Sequence, residues 1–138
     1  MKVTQENIGR YLPQKHPFIM VDSLVDATET GFESQFTVRT DNIFLEDDTL
    51  MEPSLIENIA QTCGAGFGFL QSHGAGEPRL GFIGAITKLM VHKLPRLHDL
   101  IETKVSIVYS MENIFVAKGE NFCNGERLLE CEMKIVLN

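Results

Sequence analysis

Glu57, Gln61, Gly64 and Gly68 fall at i, i+4, i+7 and i+11 of a stretch whose apolar residues recur at helical spacing. On a helix this spacing sets one carboxylate, one carboxamide and two positions of bare backbone along a single line. A carboxylate so placed can give or take a proton if burial raises its pKa. The amide one turn further on can orient that carboxylate or satisfy a buried backbone group. A plainer reading stands beside this one, because Ser54-Leu55-Ile56-Glu57 also fits a capping box in which Glu57 bonds the Ser54 backbone. Each glycine inside a helix costs about 1 kcal/mol relative to alanine. Gly64, Gly66 and Gly68 together therefore imply a close approach to this backbone by a sheet, a partner helix or a ligand.

The element that must position this line is a long helix over 53–72, with Leu55, Ile56, Ile59, Ala60, Cys63, Phe67 and Leu70 on one broad apolar face. The rest of the chain should wrap it. Upstream, Thr4 to Tyr11 reads as a short helix with Thr4 as N-cap, stopped by Pro13. Phe18 to Val25 reads as a strand, and Gly31 as the turn into a second strand on which Phe32, Ser34, Phe36 and Val38 alternate with polar residues. Asp41 to Glu52 is acidic and irregular, placed where an entrance loop would be.

Beyond the helix, 73–78 reads as a turn-rich exit, 79–93 as a long extended run and 101–109 as an alternating strand. The last two strands flank Cys123-Asn124-Gly125. A bulged three-residue loop pairs Phe115, Ala117 and Gly119 with Met133, Cys131 and Leu129, and Lys118 with Glu130. A two-residue Asn124-Gly125 turn sets Lys118 opposite Cys131 and mixes the faces, so the pattern favours the bulged loop. A strand pair, one helix and four further strands without crossover helices give an antiparallel sheet around a central helix: an α+β fold in one domain over 1–138.

With 138 residues and 43% hydrophobic content, the chain suffices for one core of its own. A net charge of −7 argues against nucleic acid as the main partner. No apolar run reaches about 18 residues, and the N-terminus has no signal-peptide core, so a cytoplasmic protein without membrane attachment is expected. Cys63, Cys123 and Cys131 are expected to be reduced and structural, and with four histidines in no ligand spacing neither metal nor cofactor is expected. His73 and His92 read as surface residues and His98 as a turn residue. Lys88, Lys93 and Arg96 concentrate positive charge, either as a docking patch for an acidic partner or as a solvated strand edge.

Three motifs carry a family resemblance. Leu12-Pro13-Gln14-Lys15-His16-Pro17-Phe18 with Met20-Val21-Asp22, the helix motif Leu55-Ile56-Glu57-Asn58-Ile59-Ala60-Gln61, and Gly84-Ala85-Ile86-Thr87-Lys88 with Asp99 beyond it resemble the beta-hydroxyacyl-(acyl carrier protein) dehydratases of the hot-dog fold. The resemblance implies a long central helix wrapped by a curved antiparallel sheet. It also implies a homodimer, or a heterodimer with a paralogue, with sites between subunits and possible assembly into a higher oligomer. The implied partner is acyl carrier protein with a phosphopantetheine-linked acyl chain, in fatty acid or polyketide-type synthesis.

In that family a histidine from one subunit and a carboxylate on the other's central helix carry the dehydration. The carboxylate maps onto Glu57. The family's His-Phe-Pro turn has no counterpart in Asp41 to Glu52, Met51-Glu52-Pro53 replaces its Pro-Gly at the helix start, and Leu97-His98 replaces the Pro-Gly before Asp99. His16, in the opening motif, becomes the candidate substitute base. Backbone amides of Leu55 and Ile56 are the candidate donors to the thioester oxygen, helped by the helix dipole. Gln61, Gly64 and Gly68 would line the acyl chain's path, and Lys88, Lys93 and Arg96 would guide the carrier. A non-catalytic acyl-thioester-binding subunit or scaffold, and a thioesterase, are the alternatives.

Overall fold

A computed structural model describes residues 1–72 and 81–137. Its helix, α1, runs Glu52–Ser72. It starts one residue ahead of the expected 53, and Pro53 fits a first turn whose amides lack helical acceptors. Leu55, Ile59, Cys63 and Ala65 on this helix are fully buried. Around it lies one antiparallel sheet of β1 (Ser23–Thr28), β2 (Gly31–Thr37), β5 (Gly81–Val91), β6 (Leu100–Met111), β7 (Ile114–Cys123) and β8 (Glu126–Leu137), in the order β1-β2-β6-β7-β8-β5. The helix touches all six strands, as the sequence pattern requires of a central helix. Among the described residues no helix is long and apolar enough to cross a membrane.

Two glycines set how closely helix and sheet approach. A Cβ on Gly66 would lie 2.3 Å from the Phe32 ring, and one on Gly119 of β7 would lie 2.3 Å from Ile59. Gly64 faces open space and Gly68 makes only ordinary contact with Tyr11. The close-packing glycine of α1 is therefore Gly66, off the Glu57 line.

Several local expectations are corrected. The first strand begins at Ser23 rather than Phe18. The backbone of Phe18 and Met20 is bonded by side chains of α1, so this segment has no need of a strand partner there. The β1–β2 turn falls at Glu29-Thr30, with Gly31 already in β2 under the Val105 carbonyl. The N-terminal helix is only a 3-10 turn at Ile8–Arg10, with Asn7 rather than Thr4 at its N-cap position.

The acidic stretch is not irregular. It forms a small hairpin of β3 (Leu45–Glu46) and β4 (Thr49–Leu50), turned by Asp47 and Asp48 at φ 50° and 62°, as a two-residue hairpin turn demands. The exit expected over 73–78, His73 included, lies outside the described residues.

The last hairpin turns on two residues, Asn124 and Gly125 at φ 51° and 79°, with Cys123 opposite Glu126. Leu128 is then bulged out of register, so Gly119, Ala117 and Phe115 face Cys131, Met133 and Ile135, and Lys118 faces Glu132. The bulge restores the apolar face that a regular two-residue hairpin would have mixed. A second bulge, at Val108, sends Tyr109 outward, leaving it 52% exposed where simple alternation pointed it inward.

Candidate functional site

The polar line of α1 is assembled as its spacing implies, and Gln61 is its pivot. The Gln61 Oε1 accepts the Met20 N–H at 2.7 Å, while its Nε2 donates to the Phe18 carbonyl at 2.9 Å and to Glu57 Oε2 at 3.1 Å. The carboxamide is fully used, and both roles considered for it are filled at once. The capping box does not form. Because the helix starts at Glu52, Ser54 sits inside its first turn, with its N–H on the Met51 carbonyl and its hydroxyl 3.2 Å from Met20 Sδ. Glu57 is thus free of the helix end and partly buried.

Glu57, Gln61 and Gly64 line a cavity of about 210 Å³, closed by Leu12 and Gln14 of the opening motif, Phe82 and Ile83 of β5, and Ile135 and Leu137 of β8. Its walls are mainly apolar, and Glu57 is the only ionisable group among the described residues lining it. Gln14 was named in the opening motif without a role. Its Oε1 is buried and has no hydrogen-bond partner among the described residues, a state that costs about 1–3 kcal/mol.

Behind this line lies a buried polar cluster that the apolar period hides. Asn58 donates to the Met20 carbonyl at 2.7 Å, and its Oδ1 receives Thr103 Oγ1 at 2.5 Å and Asn121 Nδ2 at 3.0 Å. Thr62 bonds the Asn58 carbonyl and Ser34 of β2. Gln61 and Asn58 together grip both backbone groups of Met20, which fixes the opening motif against the helix. The available signal was polar residues at inward positions: Asn58 beside the apolar stripe, and Thr103 among the inward residues of its strand.

Other candidates lie elsewhere. Within the chain, His16 does not share the Glu57 cavity. Its Nε2 sits 2.9 Å from Asp41 Oδ2, both side chains well exposed, at a separate hollow of about 320 Å³ that Asp22 and Arg39 also line. The imidazole holds the Asp41 carboxyl below its ordinary range. Burial raises Asp22 despite the Thr37 amide and the Arg39 guanidinium bonded to it.

Leu55 and Ile56 are the fourth and fifth residues of α1, so regular helix bonding directs their amides to the Met51 and Glu52 carbonyls. Lys88 pairs with Glu132 at 2.9 Å and Lys93 with Glu126 at 3.5 Å. Among the described residues Arg96 has no ion pair. His98, at φ 76°, holds a turn.

One helix wrapped by an antiparallel sheet, bearing a carboxylate at an apolar cavity, is the arrangement that the resemblance to the hot-dog dehydratases implies. The chain belongs to the ApeP-like family, described as ApeP dehydratase, whose model matches residues 6–137. It is 23% identical to the 3-hydroxyacyl-[acyl-carrier-protein] dehydratase FabZ of Campylobacter lari, with 94% of each chain covered. Among solved structures it is similar to the dehydratase heterocomplex ApeI:P of Xenorhabdus doucetiae, at TM-score 0.86 and 20% identity over 95% of this chain and 90% of that one. A hypothetical thioesterase of Streptococcus pneumoniae TIGR4 has the same fold, at TM-score 0.65 and 11% identity over 84% of this chain and 89% of that one.

Proposed function

We propose that this chain is one half of a dehydratase acting on beta-hydroxyacyl thioesters of acyl carrier protein, with Glu57 as the acid and the base supplied by a second hot-dog chain. One observation carries this reading: the cavity presents a carboxylate oriented by Gln61 and, among its described lining, no second ionisable group. Eliminating water needs two. The base takes the C2 proton, the C2–H electron pair becomes the C2–C3 double bond, and Glu57 protonates the leaving C3 hydroxyl as water.

The strand β5 supports the location of the second chain. It is an edge of the sheet that no described segment covers, with Phe82 and Met90 each 55% exposed, and such an edge is a template for strand pairing. Its Phe82 and Ile83 also wall the cavity, so a chain docked there completes the site. The heterocomplex of the Xenorhabdus relative favours a paralogue as that chain. Carrier docking at Lys88, Lys93 and Arg96 falls chiefly to Arg96, since carboxylates already sit beside the two lysines.

The test is incubation with a 3-hydroxyacyl carrier protein, alone and with a histidine-bearing hot-dog paralogue, following enoyl product and free thiol. Enoyl product only in the mixture, lost in Glu57→Gln, is expected. Enoyl product from the chain alone would return the base to His16 of a homodimer, and thiol release would favour a thioesterase. Binding without turnover in either arm would leave an acyl-binding subunit.

A further inference from the structure

We propose that Gln14 selects for the hydroxyl of the acyl chain, its Oε1 accepting a hydrogen bond from the C3 hydroxyl. This rests on the reading of the Glu57 cavity as an acyl-thioester site. The polar groups of the cavity wall account for one another almost completely. The Oε1 of Gln61 is taken by Met20, its two Nε2 hydrogens by Phe18 and Glu57, and one Glu57 oxygen receives one of them. Besides the second Glu57 oxygen there remains an acceptor with no donor among the described residues, Gln14 Oε1, buried on a residue that lines the same cavity. Nothing in the fold explains its retention, because a buried acceptor without a partner opposes folding.

An occupant that brings a donor relieves it. A 3-hydroxyacyl chain brings one at the carbon where Glu57 must act, and Gln14 and Glu57 line the same cavity of about 210 Å³. The hydroxyl oxygen then receives the Glu57 proton while its own hydrogen points to Gln14. The enoyl product lacks that hydrogen, so the same contact favours substrate over product. The pantetheine arm also carries amide donors, and the experiment separates the two sources.

The measurement is calorimetric binding of 3-hydroxybutyryl-pantetheine amide and butyryl-pantetheine amide, which cannot turn over as thioesters, to the full chain in the oligomer in which it purifies. The wild type is expected to prefer the hydroxylated ligand about tenfold, the worth of one hydrogen bond. In Gln14→Met the preference disappears through weaker binding of the hydroxylated ligand alone, and the ligand-free melting temperature is unchanged or raised. Gln14→Glu, which keeps an acceptor, retains a preference. A preference that survives Gln14→Met overturns the proposal. Equal weakening of both ligands assigns Gln14 to the pantetheine amides and overturns it too, as does a lowered ligand-free melting temperature, the mark of a structural role. If neither ligand binds the wild type, alone or mixed with the histidine-bearing hot-dog paralogue, the acyl-thioester reading itself falls and takes the inference with it.

Discussion

Gln61→Leu nearly preserves side-chain volume and removes three hydrogen bonds, to the Met20 amide, the Phe18 carbonyl and Glu57. Gln61 is 2% exposed, so leucine itself is tolerated there, and the loss comes from the stranded backbone groups. At about 1 kcal/mol net for each of the three bonds, the substitution should destabilise by about 3 kcal/mol. In a chain of this size that lowers the melting temperature by about 10 °C.

Glu57→Gln keeps both backbone bonds of Gln61 and disturbs only the partly exposed one, so its cost should stay below about 1 kcal/mol. Both variants should lose enoyl formation, Glu57→Gln by removing the acid and Gln61→Leu by releasing it. Urea unfolding at matched protein concentration, followed by circular dichroism, checks the stabilities. The construction of the site is refuted if Gln61→Leu unfolds within about 0.5 kcal/mol of wild type, or if Glu57→Gln costs as much.

Two further perturbations test the packing and the thiols. Gly66→Ala drives a methyl into Phe32, itself packed edge-on against Phe67 at 5.0 Å between ring centroids, so a loss of about 1–3 kcal/mol is expected by chemical denaturation. Gly64→Ala faces open space. It should gain up to about 1 kcal/mol from helix propensity, while its methyl, entering the cavity, weakens acyl-pantetheine binding in the calorimeter. Burial pushes the Cys63 thiol up to about 12 and the Cys131 thiol up to about 11. The unfolded chain, with ordinary thiols at 9.0, then loses these protons first. Stability present below that pH therefore falls as pH rises, by about 1.4 kcal/mol per unit and per thiol until the folded thiols ionise. Urea midpoints between about pH 9 and 10.5 should fall less steeply in Cys63→Ala/Cys131→Ala than in wild type.

The helix with its Glu57 line and the strands β6 to β8 were legible because each rests on a period that burial enforces, whereas β5, exposed throughout, was read from an extended run. Ser34, Phe36 and Val38 alternate inward along or just beyond β2 as their spacing indicates. What was not legible depends on single residues that break a period. The Leu128 bulge makes a two-residue turn compatible with the apolar pattern, so parity alone selected the wrong partner for Lys118. The Val108 bulge turned Tyr109 outward for the same reason. The Ser54 to Glu57 spacing is that of a capping box, but starting the helix at Glu52 takes Ser54 out of the N-cap position. The charges of Lys88 and Lys93 were visible, whereas the carboxylates beside them come from β8, more than thirty residues away in sequence.

The two edges of the sheet differ in a way that bears on the missing base. The outer side of β1 is covered by the chain's own N-terminus, with the Leu24 carbonyl taking the Lys2 and Val3 amides and the Leu24 amide returning to Val3. The β5 edge has no such cover among the described residues, and it is the edge that walls the Glu57 cavity. An open edge is an aggregation hazard unless a dedicated partner occupies it. Irregularities between Ile83 and Ala85 and between Thr87 and Met90, with Lys88 at φ 54°, restrict which strand can pair there. A half-site with one proton-transfer group, opening onto an edge shaped for a particular strand, is what a subunit needs if its partner brings the base. On the proposed reading, this edge is where the chain that brings the base would dock.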